Sequence, residues 1–192
     1  DYGSQVTQLI ARKIREIGIY SEIINFDKSK KIKENKFIKG IILSGGPLTI
    51  TKSNSLNLPD NILKLKKPIL GICYGLQLLI HSYGGNVEEK NSGEYGLSKL
   101  DVDSSHDIFS NVPNEINTWM SHMDQVTKIP LNWRVVAKSS NEVNAAVSNH
   151  DSSRIGLQFH PEVIHSEYGK ISCTFWSWKY RKRLYSSGTT RK

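Results

Sequence analysis

Pro68-Ile69-Leu70-Gly71-Ile72-Cys73-Tyr74-Gly75-Leu76-Gln77-Leu78-Leu79 decides how the rest of this 192-residue chain is read. A short apolar run with the character of a buried strand meets a cysteine between two glycines, and an apolar pattern of helical period follows. This is the order of a nucleophile elbow, in which Gly71 and Gly75 take the places of the glycines in G-x-S-x-G and Cys73 replaces the serine. A thiol at the N-terminus of the helix predicted over 74–83 faces unpaired N–H groups and the positive end of the helix dipole, both of which favour the thiolate. The N–H of Tyr74 is then free to bind an oxyanion. A cysteine in an apolar strand reads equally well as a small core hydrophobe.

Two other stretches bear on that choice. Gly40-Ile41-Ile42-Leu43-Ser44-Gly45-Gly46-Pro47 is a buried strand running into a glycine turn, the place where open α/β sheets bind ligands. Its functional reading is a second oxyanion donor, the N–H of Gly46; the alternative is a plain tight turn. Ile155-Gly156-Leu157-Gln158-Phe159-His160-Pro161-Glu162-Val163 is a strand that Pro161 turns, so that His160 and Glu162 emerge together at its end. A His near a Glu is commonly structural, but beside an elbow cysteine the pair supplies a base oriented by a carboxylate.

The remaining chain predicts a helix over 7–17, with Ser4 or Thr7 as cap and Gly18 as stop, and a strand over 19–26. Lys28 to Lys39 reads as a solvated helix or loop, and 58–65 as a short helix entered at Pro59. After Gly84-Gly85 come extended pieces at 86–89 and 100–103. Trp119 to Val126 is a polar cluster that reads as a capped turn or a binding segment, and 134–137 and 144–147 form a possible hairpin. Strands and helices alternate to about residue 90 and strands dominate afterwards, which predicts a mixed sheet with helices on both faces.

The formal charge is +8, but seven basic residues and no acidic ones lie in 170–192, leaving nineteen basic against eighteen acidic residues elsewhere. The body is nearly neutral, which argues against a nucleic-acid binder; the basic tail with Phe175, Trp176, Trp178 and Tyr180 leaves contact with a nucleic acid or a membrane surface as a lesser alternative. No apolar run approaches the roughly 20 residues of a membrane span. Two cysteines, Cys73 and Cys173, with no C-x-x-C pair, give neither a disulfide framework nor a metal cluster, and a cytoplasmic setting is expected.

Taken together, these motifs resemble the class I, triad-type glutamine amidotransferases, which pair a G-x-C-x-G elbow with a downstream H-P-E. The resemblance narrows to the glutaminase domains of GMP synthases through residues 1–12, Arg15 to Tyr20, Ile42 to Pro47, Gly71 to Gln77, Trp119 to His122 and Phe159 to His165. It covers about residues 1–169. It implies a flavodoxin-like α/β fold with a mixed, mostly parallel central sheet and helices on both faces. The strand that should precede Asp1 is expected to be missing, and the tail 170–192 matches nothing in the family. Met123 stands where the family often has glycine.

The resemblance implies Cys73 as nucleophile toward the carboxamide of L-glutamine, His160 as proton shuttle and Glu162 as its orienter. Gly46 and Tyr74 would donate to the oxyanion. Gln77, Ser121, His122 and Asp124 would bind the substrate's amino and carboxylate groups, with Asp124 facing the ammonium. No metal or cofactor is expected in this domain. ATP and Mg2+ would belong to an ATP-pyrophosphatase synthetase part, absent from this chain, that aminates xanthosine 5′-monophosphate (XMP) to GMP and through which oligomers could form. Two other readings stand beside it: another elbow-cysteine hydrolase, of peptidase or γ-glutamyl hydrolase type, and a non-catalytic regulatory module.

Overall fold

The computed structural model describes residues 1–34, 36–51 and 56–169, so the basic tail and Cys173 lie outside the described residues. Residues 1–6 lead into α1 (Thr7–Glu16), whose buried stripe is Thr7, Ile10, Ala11 and Ile14. Val6 holds the N-cap position, and the Ser4 hydroxyl accepts its N–H at 3.2 Å. A short α2 (Phe26–Ser29) follows, then β1 (Ile41–Leu43), α3 (Asp60–Leu63), β2 (Ile69–Ile72) and α4 (Tyr74–Ser82). The second half is β3 (Asn86–Val102), β4 (Glu115–Lys128), β5 (Trp133–Ser139), β6 (Asn144–Asn149) and β7 (Arg154–Leu157).

The seven strands form one sheet in the order β1-β2-β7-β6-β5-β3-β4. β1, β2 and β7 are parallel neighbours, in register Ile41 with Ile69 and Gly71 with Gly156. The other pairings are antiparallel, including the β5–β6 hairpin. Parallel neighbours end at the same edge, so the loop after β1, the elbow after β2 and the residues after β7 converge.

Alternation along β2 separates the two faces of the sheet. Leu70 and Ile72 join Ile10 of α1 and Phe109, while Ile69 joins Ile62 and the side chains of α4. Because α4 is buried on every side from Tyr74 to Ile80, its pattern there is apolar but for Gln77 rather than one-sided. Each of its fully buried Leu76, Leu78, Leu79 and Ile80 contributes about 1.5–3 kcal/mol by leaving water. The helix stops in a Schellman motif: Gly84, at φ +84°, donates to the His81 carbonyl at 3.1 Å and Gly85 to the Ile80 carbonyl at 2.9 Å.

Three local expectations change. The segment 19–25, read as a strand from its apolar content, pairs in no ladder of the sheet, and α2 begins at Phe26. Alternation gives a segment the character of a strand, but a partner edge is what makes it one. The segment 119–126 lies inside the long β4 rather than in a turn, because β3 pairs with it from Asp101–Glu115 to Asn86–Lys128 across two register shifts. The pieces at 86–89 and 100–103 are the two ends of the single strand β3.

Candidate active site

Cys73 stands between β2 and α4 with φ +52° and ψ −111°, a conformation that costs a non-glycine residue about 1–3 kcal/mol. The surrounding packing holds it there. Its N–H donates to the Leu157 carbonyl at 2.7 Å, which ties the elbow to the end of β7, and its carbonyl accepts the N–H groups of Leu76 and Gln77. The side chain is 8% exposed and packs at the margin of the core, so both sequence readings describe it in part. Sγ lies 3.7 Å from the Ser121 carbonyl of β4 and 3.8 Å from Nε2 of Gln158.

His160 is held through its backbone and through one ring nitrogen. Its backbone N–H donates to the Trp119 carbonyl at 2.9 Å and its carbonyl accepts the Ser166 hydroxyl at 2.6 Å. Ser166 in turn accepts the Trp119 N–H at 3.0 Å. Nδ1 lies 2.8 Å from Oε1 of the buried Glu162, whose Oε2 has no partner among the described residues, so the carboxylate spends its charge on the imidazole. Burial opposes the imidazolium, but hydrogen bonds and charge from Cys73 and Glu162 outweigh it, and the His160 pKa is raised to about 10. Gly45 marks the junction: a Cβ there would sit 3.6 Å from Cε1 of His160 and 3.7 Å from Cβ of Cys73.

The two expected oxyanion donors flank this junction. Tyr74 is the first residue of α4, and its N–H has no acceptor one turn back. Its ring packs edge-on against Tyr2 at 5.6 Å. Gly46 lies against the backbone of Tyr2, and a Cβ would come 2.6 Å from the Tyr2 carbonyl oxygen, so glycine alone fits. Tyr2 is itself held by its N–H on the Ser44 hydroxyl at 2.9 Å.

The residues expected to bind substrate line β4 and α4 nearby, but their polar groups are engaged within the protein. Nε2 of Gln77 donates to the Asp124 carbonyl at 3.0 Å and lies 3.4 Å from Oε1 of Gln158. The Asp124 carboxylate accepts the Thr49 hydroxyl. Ser121 offers its carbonyl to the thiol, while the His122 ring, 1% exposed, is taken up by the Asp124 carbonyl and Glu94. Among the described residues no group of three or more His, Cys, Asp or Glu is placed to hold a metal ion.

Sequence reasoning passed over Gln158, Thr49, Ser166 and Glu94. Gln158 carried a signal, being the one polar residue within Ile155-Gly156-Leu157-Gln158-Phe159, and it is fully buried against the thiol. The others show nothing in sequence, because their partners lie 45 to 75 residues away.

Comparison with known proteins places the chain among relatives of one family. The chain is 46% identical over 169 residues to the glutamine-hydrolysing GMP synthase of Thermosipho africanus and 45% identical over 173 residues to that of Bacillus subtilis, in each case across 88% of its own length. It spans about a third of the length of these curated relatives. A Thermoplasma acidophilum protein assigned as a subunit of GMP synthase superposes with a TM-score of 0.78 at 28% identity, over 96% of this chain and 94% of that one. A glutamine amidotransferase of Thermotoga maritima, 23% identical, shares the fold at a TM-score of 0.70 over 96% of this chain and 81% of that one. The profile of the class I glutamine amidotransferases matches residues 1–175, and with the mixed sheet and elbow described above, the chain belongs to that family.

Proposed function

We propose that the chain hydrolyses L-glutamine through a thioester on Cys73 and supplies the ammonia to an ATP-dependent amination of XMP to GMP. The observation that carries the first half is the meeting of a strained elbow cysteine with a buried, carboxylate-oriented imidazole at Gly45. The second half is supported by the GMP synthase relatives, of which this chain spans about a third. ATP, Mg2+ and XMP would then be handled by an ATP-pyrophosphatase part, fused or separate, and the setting would be the cytoplasm. No helix of the described residues is long and apolar enough to cross a membrane.

The sulfur of Cys73 attacks the carboxamide carbon, and the carbonyl oxygen gathers negative charge between the N–H groups of Gly46 and Tyr74. His160 gives its proton to the departing amine, which leaves as ammonia. Water then adds to the thioester with His160 taking its proton, and glutamate leaves as the sulfur is restored. A positioned acid–base group of this kind is worth about 10² to 10⁴ in rate. Glu162 keeps Nε2 aimed at the reaction by holding Nδ1.

The experiment is to follow glutamate and ammonia release from free glutamine by the chain and its Cys73→Ala variant. Release by the first and none by the second is expected. Glutamine left intact while γ-glutamyl peptides are cleaved would overturn the reading in favour of another hydrolase, and equal release by both proteins would remove Cys73 from the chemistry.

A further inference from the structure

A second carboxylate–imidazole pair lies in the β3–β4 ladder, separate from His160 and Glu162. Glu94 and His122 are cross-strand partners in the register, and both are buried. Oε1 of Glu94 accepts the Ser139 hydroxyl at 2.7 Å and the Asn141 amide at 2.8 Å. Oε2 faces Nε2 of His122 at 3.4 Å, and neither atom has a hydrogen-bond partner among the described residues. On the far side of the ring, Nδ1 lies 3.1 Å from the carbonyl oxygen of Asp124.

A carbonyl oxygen can only accept, so Nδ1 of His122 carries a hydrogen. Burial works against the Glu94 charge, yet polar contacts from His122, Ser139 and Asn141 hold its carboxyl below the usual range. Ser139 and Asn141 thus anchor the carboxylate against the far edge of the ring.

The ring's other contact leads to the site. The Asp124 carbonyl it grips is the same oxygen that accepts Nε2 of Gln77, and the Ser121 carbonyl beside it on β4 faces the thiol of Cys73. Between Glu89 and Glu94 the β3–β4 register shifts, so Met123, between His122 and Asp124, has no partner in the ladder.

We propose that Glu94 is a positioning residue: anchored by Ser139 and Asn141, it holds the His122 ring on the Asp124 carbonyl, locks the 121–124 segment of β4 onto Gln77 and so sets the wall against which the substrate is bound. The role rests on the reading of this cleft as a glutamine site. Glu94 touches neither the thiol nor the His160 ring; it acts through His122 and the Asp124 carbonyl.

Two measurements on the full chain and its Glu94→Ala and Glu94→Gln variants test it. In glutamine hydrolysis, Glu94→Ala is expected to raise KM about tenfold with kcat changed less than about threefold, the signature of lost binding rather than lost chemistry. Glu94→Gln is expected to restore KM to within about twofold, since its oxygen still accepts from Ser139 and Asn141 and its amide still fills the space beside the ring. The side-chain amide resonance of Gln77, which reports its bond to the Asp124 carbonyl, should shift in Glu94→Ala and keep its wild-type position in Glu94→Gln. An unchanged KM in Glu94→Ala, or an unmoved Gln77 amide there, would overturn the proposal. Should Glu94→Ala not fold, Glu94→Asp, whose carboxylate is withdrawn from the ring, takes its place with the same shift expected. Failure of the wild type to hydrolyse glutamine would sink the functional reading, and the Gln77 result would still stand or fall separately.

Discussion

A methyl group on Gly71 would lie 2.5 Å from the carbonyl oxygen of Gly75, so the last turn of β2 and the first turn of α4 press backbone on backbone. Gly75 in turn lies against the Leu43 backbone of β1. These contacts let the chain reverse within four residues and leave the thiol at the edge of the sheet. Either Gly71→Ala or Gly75→Ala should cost about 1–3 kcal/mol or more by overpacking. Chemical denaturation of each variant checks this, with alkylation of Cys73 reporting displacement of the thiol.

The strain at Cys73 has a measurable counterpart. Cys73→Gly relieves φ +52° while giving up only one small buried side chain, so it should abolish glutamate release and leave stability within about 1 kcal/mol of wild type or above it. Cys73→Ala keeps the strain and should be the less stable of the two. Comparing the two denaturation midpoints isolates the backbone contribution, and a more stable Cys73→Ala would show that the elbow is unstrained.

The His160 pKa is raised from 6.5 to about 10, against burial, by bonds and charge from Cys73 and Glu162. A raised folded value means that the native state holds this proton more tightly than the unfolded chain does. The resulting stability is fully present below about pH 6.5 and is lost as pH rises toward about 10. NMR titration of the His160 ring should place its midpoint far above 6.5. Glu162→Gln should bring that midpoint down and lower kcat by about tenfold or more. An unshifted midpoint in Glu162→Gln would remove Glu162 from the pair.

Gln158 reaches the thiol with its amide nitrogen at 3.8 Å and is otherwise enclosed. A donor facing a thiolate favours the charged form, and hydrogen bonds to charged groups are worth about 1.5–3 kcal/mol. Gln158→Leu should therefore slow alkylation of Cys73 by about tenfold. Equal rates in the two proteins would assign Gln158 to packing alone.

Much of this site was legible in the sequence because it is built from short, contiguous devices. The elbow, the glycine turn and the H-P-E stretch each state their own geometry, and all three end strands of one parallel set. The apolar patterns of 7–17, 74–83, 134–137 and 144–147 likewise gave their elements, since period follows directly from which face is buried. The segment 19–25 did not, because strand character says nothing of whether a partner edge is present.

What the amino-acid order by itself determined is the identity of the candidate groups and the turns that carry them: a cysteine between two glycines, and a histidine and glutamate at a strand end that a proline turns. The tertiary structure decided who holds them. That Trp119 and Ser166 clamp His160, that Gln158 faces the thiol, and that His122 turns to Glu94 follow from strand register and burial. Contacts between residues tens of positions apart leave no local pattern, because a polar group's partner is set by which strands lie side by side.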